Sequence, residues 1–201
     1  MLFSSQPFII LFLPLTVWLY YRAATSTRAG SGHLRLGVLF LSSTVFYAWW
    51  DPRFVPLLLG AVALNWLLVK IHFATGSKSI LVAGVIANLS ILGLFKYANF
   101  FAENALGLLG IPHQPWSIIL PLGISFFTFQ QISYLIDVKR GEAVEYSLLE
   151  YATYVSFFPQ LIAGPIVRHG ELIPQFKRRP ENQQWLELAG QIGRASCRER
   201  V

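Results

Sequence analysis

Cysteine is nearly missing: the 201 residues hold one, Cys197, near the very end. A single thiol forms no intramolecular disulfide and no cysteine metal site, and its place in the anomalous last ten residues removes it as a candidate nucleophile. Charge is scarce as well. Asp, Glu, Lys and Arg make up 13% of the chain, whereas a soluble domain carries about 25%. Internal repeats and low-complexity tracts are missing, and so is any glycine-rich phosphate loop, because Gly107, Gly110 and Gly123 sit in apolar runs where glycine serves helix packing. The net charge of +6 does not make a nucleic-acid surface. Its lysines and arginines fall in short loops between apolar runs, with no basic face interleaved with exposed aromatics.

What remains is apolar. Hydrophobic residues reach 54% and aromatics 15%, with a mean hydropathy of +0.51, which predicts an all-α polytopic transmembrane bundle in a lipid bilayer. Spans are expected near residues 2–21, 36–50, 54–73, 80–95 and 116–138. The first lacks a basic leader and a small-residue cleavage site, so it reads as a retained helix. Arg22, Arg28 and Arg35 follow it without an acid, which puts that loop in the cytoplasm and the N-terminus outside. Tyr47, Trp49 and Trp50 form an interfacial belt before the Asp51-Pro52-Arg53 turn, and Lys70, Lys78, Lys139 and Arg140 mark later cytoplasmic ends. Residues 96–110 mix Asn99, Glu103 and Asn104 with aromatics and leucines, and read as an interfacial helix.

The organising stretch runs from Ile119 to Phe176. Its span carries Ser125, Thr128, Gln130, Gln131 and Ser133, polar side chains that lipid tolerates only when they face protein or a wet cavity. The next apolar run, residues 152–167, is broken by Pro159, Gly164 and Pro165. Broken backbone at membrane depth must be buried in protein or line a cavity. A full crossing would also leave Arg168, Lys177, Arg178 and Arg179 outside, so the run reads as re-entrant. His33, His72, His113 and His169 lie in loops or at segment ends. His169, beside Arg168, reads as solvated, and Asp137 as a helix end at the interface.

Five strings carry a resemblance: MLFSS at residues 1–5, FKYANF at 95–100, LPLGISFFTFQ at 120–130, YLID at 134–137 and VSFFPQLIAGPIVR at 155–168. Through them the chain resembles the membrane-bound O-acyltransferase family, in particular its bacterial alginate-acetylating branch. The resemblance implies an enzyme of the bacterial inner membrane, N-terminus periplasmic. It would move acetyl groups from a cytoplasmic donor such as acetyl-CoA, with no bound cofactor or metal, toward an exopolysaccharide such as alginate, aided by periplasmic subunits. Gln160, Gly164, Pro165 and Arg168 match the family's re-entrant segment, where Arg168 would meet an anionic donor. The plainer alternative is that Gln160 satisfies backbone freed by Pro159 and Arg168 is an inside anchor. The family's catalytic histidine, in a Trp-His-Gly setting, has no counterpart here and is expected downstream. This truncated chain is therefore expected to be inactive alone.

The last ten residues, IGRASCRERV at 192–201, turn abruptly hydrophilic and resemble the one-frame translation of a sequencing adapter, so residues 1–191 are expected to be the N-terminal part of one membrane domain. Two other readings stand beside the enzyme. A transporter also uses broken helices, though in paired halves; a non-catalytic scaffold subunit would only dock partners.

Overall fold

The computed structural model describes residues 5–24, 31–108, 119–161 and 167–177. Among them every regular element is helical. The chain opens with a π-helical turn, Phe8–Phe12, that runs into α1, Leu13–Ala24. Pro14 has no amide to return to the preceding turn, and the widened turn accommodates its ring. Then come α2, Ser31–Trp50, α3, Val55–Thr75, and α4, Lys78–Leu108. Asp51 turns the chain between α2 and α3: its carboxylate accepts the Arg53 amide at 3.0 Å and the guanidinium at 2.7 Å. Two helical stretches, Pro52–Thr75 and Lys78–Ala98, are long and apolar enough to cross a membrane.

Two expectations are corrected. Residues 96–108 are not a separate interfacial helix. With no proline between Phe95 and Leu108 to interrupt the backbone ladder, α4 continues through them. Nor does the helix of the fifth expected span begin near residue 116. Pro121 and a left-handed Gly123 (φ 70°) hold the chain out of helix until α5, Ile124–Arg140. Its 17 residues rise ~25 Å, short of a hydrocarbon core of about 30 Å.

Beyond α5, Ser147 and Glu150 form a reciprocal capping box that starts α6, Leu148–Ser156. Phe157 leaves the helix, and α7, Phe158–Leu161, is a single turn carrying Pro159. The last element is α8, His169–Lys177. Gly164 and Pro165, and the tail at 192–201, lie outside the described residues.

In the packing, α5 lies along α4, α2 lies against α1 and α6, and α3 lies against α4 and α6. Phe8, Phe46 and Phe158 form a buried aromatic cluster that ties the first turn to α2 and α7, with Phe12 against it. Gly123 allows a closer approach still: a Cβ there would sit 2.5 Å from the Leu161 carbonyl oxygen. Lipid tails solvate an apolar helix face as well as another helix does, so close packing and interhelical hydrogen bonds must set the register.

Candidate functional site

The polar side chains inside this apolar bundle form two connected groups. The first is a ladder of amides across α3, α4 and α5. Asn65 Nδ2 donates to Gln131 Oε1 at 2.7 Å and to Asn88 Oδ1 at 3.2 Å, and Asn88 Nδ2 returns a bond to Asn65 Oδ1 at 2.7 Å. Tyr151 on α6 adds its hydroxyl to Gln131 Oε1 at 3.4 Å. Gly84, one helical turn before Asn88, allows close packing beside the ladder, since a Cβ there would lie 2.9 Å from Leu68 Cδ1 and 3.0 Å from Leu135 Cδ1. Gln131 is fully buried, and neither its Nε2 nor the buried Nε2 of Gln130 has a hydrogen-bond partner among the described residues.

The second group surrounds His169, and here the structure overturns the sequence reading. His169 is not solvated: it is 5% exposed, and Asp137 is 8% exposed. His169 Nε2 meets Asp137 Oδ2 at 3.1 Å, and Nδ1 meets the Tyr146 hydroxyl at 3.1 Å. Asp137 is therefore not a helix end facing the interface. It lies in the last turn of α5 but is buried, its carboxylate met by His169 at the start of α8. Tyr134 and Tyr154 flank the imidazole edge-on, with centroids at 5.1 and 6.5 Å. Tyr134 also stacks near Tyr151 at 5.0 Å, so the two groups are contiguous.

Electrostatics at this end are local. Glu150 and Lys177 pair at 2.8 Å and join α6 to α8. Burial alone would raise the Glu150 carboxyl, but hydrogen bonds from Lys177 and Ser147, with the Lys177 charge, outweigh it and hold the group below its ordinary value. Burial pushes the Tyr146 hydroxyl up, with Lys177 opposing and Glu150 assisting. The buried Arg35 on α2 donates to the Lys177 carbonyl at 3.3 Å, at the end of α8.

Of the residues singled out in the sequence, Gln160 is buried in α7 and Arg168 is exposed just before α8. They do not share one environment. An apolar cavity of about 280 Å³, lined by neither of them, opens between α1, α2, α7 and α8 against Leu13, Thr16, Phe158, Pro159 and Phe176 among others. No cluster of three His, Cys, Asp or Glu able to hold a metal ion occurs among the described residues. Sequence reading passed over Asn65, Tyr146 and Tyr151. A lone amide in an otherwise apolar helix was the available signal for Asn65, whereas nothing local marks Tyr146.

Comparison with known proteins adds the rest. A model of the membrane-bound O-acyltransferase family matches residues 86–196. The chain is 40% identical over 189 residues to a probable alginate O-acetylase of Pseudomonas aeruginosa, covering 89% of this chain and 35% of that protein. A probable alginate O-acetylase of Azotobacter vinelandii is 39% identical, covering 89% of this chain and 36% of its own length. A peptidoglycan O-acetyltransferase of Helicobacter pylori is 39% identical over 216 residues, covering 92% of this chain and 40% of that protein. The chain thus spans 35–40% of the length of these curated relatives. No solved structure matches it.

Proposed function

The chain belongs to the membrane-bound O-acyltransferase family, and from that premise we propose that it forms the N-terminal part of a bacterial inner-membrane enzyme that acetylates a polysaccharide. The observation that carries this reading is the identity near 40%, across about nine-tenths of the chain, to probable alginate O-acetylases and a peptidoglycan O-acetyltransferase. Alginate is the proposed acceptor because several of these relatives are probable alginate O-acetylases. The peptidoglycan relative, at 39% identity, favours a second acceptor of the same chemical class.

In this reading acetyl-CoA, or a similar thioester, arrives from the cytoplasm, and its acetyl group leaves toward the periplasm, where partner subunits hand it to the sugar. The N-terminus is periplasmic, four spans lie near residues 2–21, 36–50, 54–73 and 80–95, a fifth crossing near 116–138 has its helix starting at Ile124, and the broken run 152–167 re-enters. The apolar cavity beside Phe158 and Pro159 supports re-entry, since such backbone needs a cavity or protein around it. Gln160, Gly164, Pro165 and Arg168 line the donor's path, with the Arg168 guanidinium meeting the donor's anionic end. A sugar hydroxyl is a weak nucleophile at neutral pH and needs a general base near pH 7. That base is proposed to be a histidine downstream of this chain. Exclusion of water from the path protects the thioester.

The test is a chimera in which residues 1–191 replace the matching part of an alginate O-acetylase, expressed in a host lacking its own. Acetyl esters on the purified alginate and peptidoglycan are read by proton NMR. Acetyl on alginate supports the proposed acceptor, acetyl on peptidoglycan alone replaces it, and a folded chimera that acetylates neither sinks the reading.

A further inference from the structure

The tyrosines of this bundle differ in where their hydroxyls end. Tyr47, Tyr134 and Tyr154 each donate to a backbone carbonyl, of Leu122, Val144 and Val167 at 3.1, 2.9 and 3.1 Å. Tyr151 ends on an amide oxygen. Tyr146 ends on a basic nitrogen: its hydroxyl lies 3.1 Å from His169 Nδ1, and the far nitrogen of that ring lies 3.1 Å from the Asp137 carboxylate. Hydroxyl, imidazole and carboxylate in line are the parts of an activated nucleophile, recognised by geometry and role and not by sequence order. Burial supports the assignment. Asp137 and His169 are both more than nine-tenths buried, while Tyr146 is only half-buried, its hydroxyl meeting the ring at 3.1 Å. The nearby charges Glu150 and Lys177 are paired with each other at 2.8 Å, which leaves His169 as the phenol's base.

We infer that Tyr146 is an acyl-accepting residue, activated by His169 and oriented through it by Asp137, and that it takes acetyl from an activated ester or thioester. The Tyr146 oxygen attacks the acyl carbon while its proton passes to His169 Nδ1. The Asp137 carboxylate stabilises the imidazolium through Nε2. Collapse breaks the bond to the leaving thiolate or phenolate, which takes the proton back from Nδ1, and an aryl acetate remains on Tyr146. No redox change is involved. The inference rests on the acyl-transfer reading for its natural donor, not for its geometry. The aryl ester would be a way-station at the end of α5 that carries Lys139 and Arg140, the proposed donor side.

The test uses the full chain in lipid nanodiscs with p-nitrophenyl acetate, a donor small enough to need no coenzyme site. Release of nitrophenolate is followed optically, and acetylated tyrosines are mapped by mass spectrometry after acid quench. The exposed Tyr97, 45% accessible, is the internal reference within the same molecule. The inference expects a burst approaching one nitrophenolate per chain, with acetyl on Tyr146 well ahead of Tyr97. Y146F, which keeps the ring and removes the oxygen, loses the burst. H169Q slows it by about 100-fold or more, the usual share of a positioned base. D137N slows it less, and leaves the melting temperature closer to wild type than the rate. Tyr146 labelled no faster than Tyr97 overturns the inference without any variant, and so does an unchanged rate in folded H169Q. A chimera that acetylates a glycan while its Tyr146 reacts no faster than Tyr97 refutes the way-station and spares the family-level reading. A labelled Tyr146 in a chimera that acetylates nothing does the reverse.

Discussion

Single residues in this bundle matter where they replace what lipid cannot supply. Asn65 serves two neighbours at once, so Asn65→Leu leaves Asn88 Nδ2 without its side-chain acceptor and Gln131 Oε1 without its short donor. The cost should be about 1–2 kcal/mol, read as a lower unfolding midpoint in detergent. Adding Asn88→Leu should cost less than the sum of the two single changes, because the pair shares its bonds. Glycines give a cleaner comparison. Gly123 and Gly141 both hold left-handed backbone, at φ 70° and 78°, but only at Gly123 would a Cβ meet a backbone oxygen, at 2.5 Å. Both alanine variants pay the left-handed penalty of roughly 1–2 kcal/mol. Gly123→Ala should lose clearly more, and equal losses would show that the α5–α7 contact is looser than described. At this scale the sequence was partly legible. The polar set Gln130 and Gln131 marked a face turned into protein. The pairing of Asp137 with His169 was not legible, because 32 positions separate them and only the fold sets the start of α8 against the end of α5.

Among the elements, α8 is the one whose placement rests most on charge. Lys177 pairs with Glu150, and Arg35 binds the Lys177 carbonyl. Glu150 is held below its ordinary value of 4.5 in the folded state. Its contribution to stability is therefore fully present above that value and fades as pH falls through the lower folded one. The melting temperature of wild type should exceed that of Glu150→Gln at pH 7, and the gap should close as pH falls below 4.5. A gap constant from pH 7 downward would mean that α8 is held by packing alone. Element boundaries show which signals a sequence carries. Pro159 announced the helix break after Ser156 because proline acts on the backbone itself, whereas Gly164 and Pro165 lie outside the described residues. The start of α5 was misjudged because the apolar count ran straight through Pro121 and Gly123, although both resist helix. The join of residues 96–108 to α4 was misjudged in the opposite sense, since polar residues on a helix suggested an interface while nothing in the backbone interrupted it.

At the scale of the whole molecule, the chain is an apolar helical assembly with its polar chemistry turned inward, as membrane solvation requires of intramembrane amides and carboxylates. Composition alone made that much visible, since 13% charged residues leave too few to cover a soluble domain. Orientation is a separate proposal with its own test. In a Cys197→Ser background, a cysteine placed at Arg53 should react with an impermeant maleimide added outside intact spheroplasts, and one placed at Arg140 should react only after lysis. Labels in the reverse pattern would invert the bundle.

The central proposal is that this chain helps carry acetyl from a cytoplasmic thioester to a glycan across the membrane. It is tested most directly in inside-out vesicles holding the chimera with its periplasmic partners and entrapped alginate. Labelled acetyl-CoA is supplied only to the exposed cytoplasmic face. The account predicts labelled acetyl ester on the enclosed alginate, lost when residues 1–191 are deleted. Intact vesicles that bind the donor yet leave the enclosed glycan unlabelled would contradict it.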